Sequence, residues 1–197
     1  MPKPYTPNDA WSRKAAKEGF RARSVYKLME LDERFHLLKT GQTVLDLAAA
    51  PGSWLQYASK RIGTKGLAIG FDLKPIAPIA DNVRTFEQDI THPEKIDAQL
   101  EAEHLPKINL ILSDIAPSTS GIRDVDQWRS IELNQAVLAI AGRWLAPGGA
   151  CVLKVFRGAD FDAFLREVKL QWKDVRIATP RASRDRSKEV YLVMRKA

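Results

Sequence analysis

Aspartates stand at the ends of four apolar segments, where their carboxylates would meet the polar groups of a nucleoside ligand. The first segment ends in Asp46 and leads into a loop of small residues at 48–53, and the others end in Asp72, Asp89 and Asp114. Small residues let a loop approach a ligand closely, and an acid about 20 residues after such a loop can hold two ribose hydroxyls. An acid beside an apolar residue, as at Asp89, suits the amino group of an adenine. The set predicts a site for a cofactor that carries a ribose and an adenine.

Each aspartate alone also has a purely structural interpretation. An Asp that follows a strand often caps a helix or forms a turn. Four of them in succession, beside a loop of small residues, are harder to explain in this way. The loop at 48–53 does not follow the G-x-G-x-x-G pattern, which disfavours a dinucleotide site and a nicotinamide-dependent oxidoreductase.

The segments that must position these aspartates alternate between strand and helix character. Strand-like apolar runs lie at 43–48, 66–73, 82–90, 108–115 and 150–156, and helical stretches lie at 53–62, 93–105, 126–145 and 161–172. This alternation predicts an α/β fold with a parallel sheet covered by helices on both faces. Two more strands, near 173–178 and 189–195, have a short non-helical connection, so we expect an antiparallel strand at the end of the sheet.

The N-terminal region predicts a helix that precedes the first strand. Apolar residues recur at helical spacing over 24–38, and Ser24 is a plausible N-cap. The sequence shows no internal repeat and no linker rich in Gly, Ser or Pro. We therefore predict one domain over 1–197, with a basic helical extension at 1–40 and an α/β core at 41–197.

Composition excludes several classes of protein. The chain has 197 residues, of which 45% are hydrophobic and 28% charged, as in folded globular proteins. A single cysteine, Cys151, excludes an intrachain disulfide and a multi-cysteine zinc site. The histidines are scattered at His36, His92 and His104, so we expect no metal site. No apolar run approaches the length that spans a bilayer, and no signal peptide opens the chain, so we expect a cytoplasmic protein.

Positive charge is concentrated near the two ends of the chain. The formal net charge is +7, and basic residues cluster at 12–27 and 176–188. If the fold brings these segments together, they form one surface suited to a phosphate backbone. The alternative is two solvated basic faces without a partner.

Four motifs of the sequence resemble those of a known enzyme family. DLAAAPGSWLQY, SDIAPSTSG, LAPGGACVLKVF and SRDRSKEVYLV are similar to the FtsJ/RrmJ-type RNA 2′-O-ribose methyltransferases, over residues 10–195. The resemblance implies S-adenosyl-L-methionine as cofactor and methylation of a uridine ribose in large-subunit ribosomal RNA. Because the small chain leaves no appended RNA-binding domain, we expect RNA within the large ribosomal subunit as the partner. The resemblance also implies a Rossmann-like fold with a seven-stranded, mostly parallel sheet and a final antiparallel strand. We expect the protein to be a monomer.

The resemblance also implies specific site residues. The Lys-Asp-Lys-Glu tetrad of the family maps onto Lys27, Asp114, Lys154 and Glu189. The cofactor contacts of the family map onto Gly52, Trp54, Asp72, Asp89 and Asp114. One position departs from the family pattern, because Ala48 stands where a glycine is usual. An alanine methyl there is harmless if the backbone angle is ordinary, which is the outcome we expect.

The tetrad suits methyl transfer to a hydroxyl. A ribose 2′-hydroxyl is a poor nucleophile until it loses its proton, and a lysine serves as base only when it is neutral. We expect Lys154 to act as the base or to steer the hydroxyl, with Asp114 and Glu189 orienting it and Lys27 tuning charge or holding substrate. Alternatively, Lys154 lies at the open end of its strand and extends its ammonium to water.

Other functions fit the sequence less well. A methyltransferase for another RNA, such as tRNA, and an RNA-binding module with a methyltransferase fold remain as alternatives. The N-P-P-Y motif of many base-amine methylases is absent. A pyrimidine 5-methylase needs a nucleophilic cysteine, and Cys151 lies in an apolar run that indicates core.

Overall fold

The computed structural model describes residues 9–105, 107–118, 120–183 and 188–197. Its seven strands are β1 (Thr43–Leu47), β2 (Leu67–Asp72), β3 (Val83–Glu87), β4 (Ile108–Ser113), β5 (Leu145–Phe156), β6 (Trp172–Ala178) and β7 (Glu189–Lys196). Its helices are α1 (Ala10–Lys17), α2 (Val25–Phe35), α3 (Ser53–Ile62), α4 (Pro93–Ala102), α5 (Arg123–Trp144) and α6 (Phe161–Gln171). Within the described ranges, no helix is both long enough and apolar enough to cross a membrane.

The strands form one sheet in the order β3-β2-β1-β4-β5-β7-β6. β1, β2, β3, β4 and β5 pair in parallel, whereas β7 runs antiparallel to both β5 and β6. The predicted seven-stranded, mostly parallel sheet is confirmed, and its last strand in the chain is antiparallel. The antiparallel pairing lies at the end of the sheet as expected, where β7 inserts between β5 and β6 and β6 forms the edge. Strand order reverses between β1 and β4, which is where open α/β sheets bind ligands.

Helices cover both faces of the sheet because the central strands are apolar on both sides. All five residues of β1 are buried. Val44 packs in a cluster with α2 and α3, whereas its neighbours Leu45 and Leu47 pack in a second cluster with α4, α5 and α6. Successive side chains of a strand point to opposite faces, so one strand supports both layers.

The N-terminal segment forms two helices. Asp9 caps α1, because its carboxylate accepts a hydrogen bond from the Ser12 backbone amide at 2.8 Å. α2 begins after Ser24 as predicted, but the Ser24 side chain makes no capping bond, and its hydroxyl lies 3.0 Å from that of Ser53. The helix ends at Phe35, three residues earlier than predicted, where His36 adopts a left-handed conformation.

Candidate active site

A cavity of about 410 Å³ opens at the carboxyl ends of β1, β2 and β4. Three predicted cofactor residues, Asp72, Asp89 and Asp114, line it together with Ala48 and Ala50. The carboxyl ends of parallel strands meet at one edge of the sheet, and this edge includes the switch point between β1 and β4. The topology therefore places the predicted acids around one space of a size that suits a nucleoside.

Asp72 is fixed in this cavity by two backbone amides. Its Oδ2 accepts a hydrogen bond from the Ala50 amide at 2.8 Å, and its Oδ1 accepts one from the Lys74 amide at 2.9 Å. A carboxylate offers about four acceptor sites, so each oxygen retains one for a ligand. The orientation of Asp72 fits two adjacent ribose hydroxyls.

Asp89 lies on the same cavity wall and is held by Thr91. Its Oδ1 accepts hydrogen bonds from the Thr91 amide and hydroxyl, at 2.9 and 2.8 Å. These bonds lower the pKa of Asp89, so the carboxylate is charged at neutral pH. Both bonds go to Oδ1, which leaves Oδ2 as an acceptor for an amino group such as that of adenine.

Ala48 adopts a left-handed backbone conformation, with φ of 67°, so the expectation of an ordinary backbone angle was wrong. The backbone amides of Ala48 and Ala49 both donate to the carbonyl of Phe71, at 2.9 and 3.0 Å. This turn at the end of β1 requires the positive φ, which a glycine would adopt without strain. Ala48 therefore lines the cavity with a strained backbone conformation.

Gly52 belongs to the loop and Trp54 follows it, but neither lines this cavity. Gly52 has φ of 99°, and a Cβ there would lie 2.9 Å from the Ile79 side chain. The Trp54 indole is buried and donates to the Ser24 carbonyl at 2.8 Å. Both residues shape and support the loop, and their direct contact with a cofactor stays a prediction.

Asp46 is buried beneath the cavity rather than exposed in it. Burial, together with the nearby charges of Asp114 and Asp72, raises the pKa of Asp46 well above its usual value. Among the described residues, its Oδ2 has no hydrogen-bond partner. Four carboxyl groups therefore share this edge of the sheet, those of Asp46, Asp72, Asp89 and Asp114, and the buried Asp46 favours the neutral form.

The structure brings the four residues of the predicted tetrad together as two ion pairs. Lys154 Nζ lies 2.9 Å from Asp114 Oδ1 and donates to the Asp114 carbonyl at 2.7 Å. Lys27 Nζ lies 2.6 Å from Glu189 Oε1. The Lys154 side chain is only 7% exposed, so it does not extend to water. Asp114 also lines the cavity described above, which joins the tetrad to that space.

A fifth residue, Tyr191, contacts the tetrad, and the sequence analysis did not identify it. Tyr191 is fully buried, and its hydroxyl donates to Asp114 Oδ1 at 2.5 Å, the oxygen that also faces Lys154. Lys27 Nζ lies 5.8 Å from the centre of the Tyr191 ring. Tyr191 follows Glu189 by two residues on β7, so period-two alternation places both side chains on one face and was the available signal.

Charge and burial together set the protonation of these groups. Burial alone would raise the pKa of Glu189, but the charge and hydrogen bond of Lys27, with smaller contributions from a Ser183 hydrogen bond and the Lys154 charge, outweigh it and lower this pKa. Burial and the charges of Asp114 and Glu189 raise the pKa of Tyr191 well above 10, so its hydroxyl stays a donor. The site therefore holds a charged Glu189 carboxylate, and the neutral phenol of Tyr191 orients Asp114.

The two basic segments meet beside the tetrad. The Arg23 guanidinium donates to the Ala182 carbonyl at 2.6 Å, and the Arg181 amide donates to Glu30 Oε2 at 2.8 Å. Ala182 packs among the apolar side chains of α1 and α2. Two arginines of the second segment, at positions 184 and 186, lie outside the described residues. The fold thus brings the described parts of the two basic segments together into one basic region.

Comparison with known proteins decides the family. The sequence pattern of the FtsJ-like methyltransferases matches residues 20–197, which is most of the chain. The chain belongs to the FtsJ-like methyltransferase family. It is a methyltransferase with the Rossmann-like fold that the sequence predicted, and the four tetrad residues and the cavity acids all lie within the matched region.

Relatives of this FtsJ-like chain carry consistent names. It is 45% identical over 190 residues to the ribosomal RNA large subunit methyltransferase E of Syntrophobacter fumaroxidans, covering 96% of this chain and 95% of that one. It is 44% identical over 186 residues to the protein of the same name from Acinetobacter baumannii, covering 94% and 86%.

Solved structures show the same architecture. A Plasmodium falciparum protein, described as a candidate ribosomal RNA methyltransferase, superposes with a TM-score of 0.81 at 28% identity, covering 90% of this FtsJ-like chain and 98% of its own. A Clostridium thermocellum protein at 17% identity, with a TM-score of 0.62 over 86% and 97% of the two chains, shares the fold.

In the described part of this FtsJ-like chain, Cys151 lacks the exposure that a nucleophilic cysteine needs. Cys151 is buried in β5 and burial raises the pKa of its thiol, so it is a core residue as predicted. Within the same residues, no cluster of metal-ligating side chains occurs.

Proposed function

We propose that the chain transfers the methyl group of S-adenosyl-L-methionine to the 2′-hydroxyl of a uridine in large-subunit ribosomal RNA. The observation that carries this proposal is the position of Asp114, which lines the cofactor cavity and also holds Lys154. The names of the relatives support the substrate, since they denote large-subunit ribosomal RNA methyltransferases.

The cavity residues account for cofactor binding. Asp72 would accept hydrogen bonds from the ribose hydroxyls, and Asp89 Oδ2 would accept one from the adenine amino group. Ile90 and Ile115, which also line the cavity, supply apolar walls for the adenine ring. The bound cofactor would supply an electrophilic methyl group, and the protein must supply the positioned hydroxyl.

The geometry of Lys154 suits the reaction at the hydroxyl. Its Nζ has three substituent positions besides the carbon chain, and Asp114 occupies two of them, through Oδ1 and the carbonyl. The third position is left for the substrate oxygen. There a charged ammonium would donate a hydrogen bond and steer an oxygen lone pair, whereas a neutral amine would accept the proton. Steering the hydroxyl and accepting its proton use the same position on Nζ, so a variant without Lys154 can do neither.

The basic region beside the tetrad accounts for RNA binding. Lys27 lies at the end of the first basic segment and belongs to the tetrad, so a phosphate backbone held there would pass the active site. Three exposed cations of α1, at positions 13, 14 and 17, extend this region. We propose the large ribosomal subunit in the cytoplasm as the partner and a monomer as the active form.

Under-methylated large ribosomal subunits and labelled S-adenosyl-L-methionine test this function. RNA is digested to nucleosides after incubation, and the labelled product is identified by mass spectrometry. We expect labelled 2′-O-methyluridine from the wild type and from Lys65→Ala, which removes an exposed lysine in the turn between α3 and β2. Lys154→Ala should bind cofactor normally, by calorimetry, and produce no label.

Other products would change the assignment. Label on a base would retain the cofactor site but refute the role of the tetrad. Cofactor binding without transfer to any RNA would indicate an RNA-binding protein with a methyltransferase fold. Full activity of Lys154→Ala would refute the proposed role of that lysine.

A further inference from the structure

Helix α5 carries a buried polar stripe on the face that meets the sheet. Gln127, Ser130 and Asn134 lie at helical spacings of three and four residues, and they are between 0% and 2% exposed. A helix that packs on a sheet normally presents apolar side chains there, and each buried polar group costs free energy unless it is paired. A polar stripe at this place therefore needs partners in the sheet.

Gln127 Oε1 accepts a hydrogen bond from the Asp160 amide at 3.4 Å, beyond the end of β5. The partners of Ser130 and Asn134 are backbone groups of β5, at the point where its neighbour β4 ends. The pairing of β4 with β5 stops at Ser113 and Leu153, whereas β5 continues to Phe156. Asn134 Nδ2 donates to the Lys154 carbonyl at 2.7 Å, and the Phe156 amide donates to Ser130 Oγ at 3.2 Å. Side chains of α5 thus replace the hydrogen bonds that a longer β4 would have made.

The orientation of Asn134 is itself fixed. Its Nδ2 also donates to the Ser130 carbonyl at 2.8 Å, one helical turn earlier. Next to it on α5, Leu133 lines the cofactor cavity. The same helix therefore forms a wall of the cavity and holds the backbone of the lysine at its edge.

We propose that Asn134 and Ser130 are positioning residues for Lys154 in methyl transfer, an inference that rests on the proposed function. Lys154 is held by its Nζ through Asp114, and β7 pairs with it on one side through Tyr191. On the other side of β5, beyond the end of β4, Asn134 holds the Lys154 carbonyl. Misplacement of a reacting group by about 1 Å costs about 100-fold in rate, so loss of the stripe acts on turnover.

Two substitutions of different size separate positioning from packing. Asn134→Ala leaves a cavity, whereas Asn134→Leu fills the space, and neither can donate to the Lys154 carbonyl. We expect both to lower kcat about 10- to 100-fold, with the KM for ribosomal subunits and the Kd for S-adenosyl-L-methionine unchanged. Ser130→Ala should lower kcat less than the Asn134 substitutions do. Ser130→Thr, which keeps the hydroxyl, should have a kcat close to that of the wild type.

Asn82→Ala is the matched control, because its side-chain amide bonds the carbonyls of Ser59 and Gly63 away from the site. It should lower the melting temperature and leave kcat unchanged. A kcat that follows the melting temperature across all variants, or stays at the wild-type value in Asn134→Leu, would overturn the inference. If the wild type labels a different acceptor, the proposed function fails. The inference is then still decided by kcat for that acceptor.

Discussion

Tyr191→Phe removes one oxygen from the centre of the tetrad and leaves the rest of the side chain in place. The lost hydroxyl donates to Asp114 Oδ1 at 2.5 Å in a fully buried environment. A hydrogen bond to a charged group contributes about 1.5–3 kcal/mol. For a chain of this size, a loss of about 2 kcal/mol lowers the melting temperature by about 4–8 °C.

The same substitution should also slow methyl transfer. Asp114 Oδ1 is shared by Tyr191 and Lys154, so without the hydroxyl the carboxylate is free to turn about its side-chain bonds. Lys154 then loses its fixed direction toward the substrate position. We expect kcat to fall about tenfold, which corresponds to about 1.4 kcal/mol in the barrier. Cofactor affinity should change little, since Asp72 and Asp89 are untouched.

Tyr57→Phe provides the matched control. The Tyr57 hydroxyl donates to Asp32 Oδ2 at 2.9 Å, so the control removes the same group from another buried carboxylate, away from the tetrad. Thermal melts and methyl-transfer kinetics of both variants are compared with the wild type. We expect similar losses of stability and a loss of kcat in Tyr191→Phe alone. Equal kcat in the two variants would refute the reasoning.

Three further predictions test single features. Ala48→Gly relieves the strain of the left-handed backbone conformation and should raise the free energy of unfolding by up to about 1 kcal/mol in denaturant titrations. A lower free energy of unfolding would show that Ala48 is not strained. The lowered pKa of Glu189 adds stability that is full above the unfolded value of about 4.3 and is lost as pH falls through the folded pKa. Glu189→Gln should therefore lower the free energy of unfolding by up to about 3 kcal/mol at pH 7 and weaken the fall in melting temperature at acid pH. An unchanged fall at acid pH would show that the Glu189–Lys27 pair does not cause it. Lys17→Gln removes an exposed cation of α1 and should reduce the slope of log K against log salt for RNA binding by about one; an unchanged slope would place the RNA elsewhere.

Much of the fold was predictable because it depends on local patterns. α3 occupies the predicted range 53–62, and the strands at 43–48 and 108–115 differ from prediction by one or two residues. Apolar runs between helical stretches admit few arrangements other than a covered parallel sheet. The place of β7 between β5 and β6 was not predictable, since a short connection specifies that two strands pair but not which neighbour the second one takes.

The candidate site was predicted in part. Asp72, Asp89 and Asp114 were expected at one edge because each follows a parallel strand, and the structure places them around one cavity. Gly52 and Trp54 were assigned by motif, which does not show whether a residue lines the cavity or supports its wall. The backbone angle of Ala48 depends on two amides converging on the Phe71 carbonyl of the neighbouring strand. No property of an alanine in the sequence reveals that convergence.

The sequence by itself determined the α/β class, the acids at the cavity and, through its motifs, the residues of the tetrad. These follow from periodicity and residue type, which are local properties of the chain. Only the tertiary structure decided that Lys154 pairs with Asp114, that Tyr191 orients this carboxylate and that Asn134 holds the lysine backbone. Each of those contacts joins residues at least 20 positions apart, and their distances depend on strand register and helix packing across the whole domain.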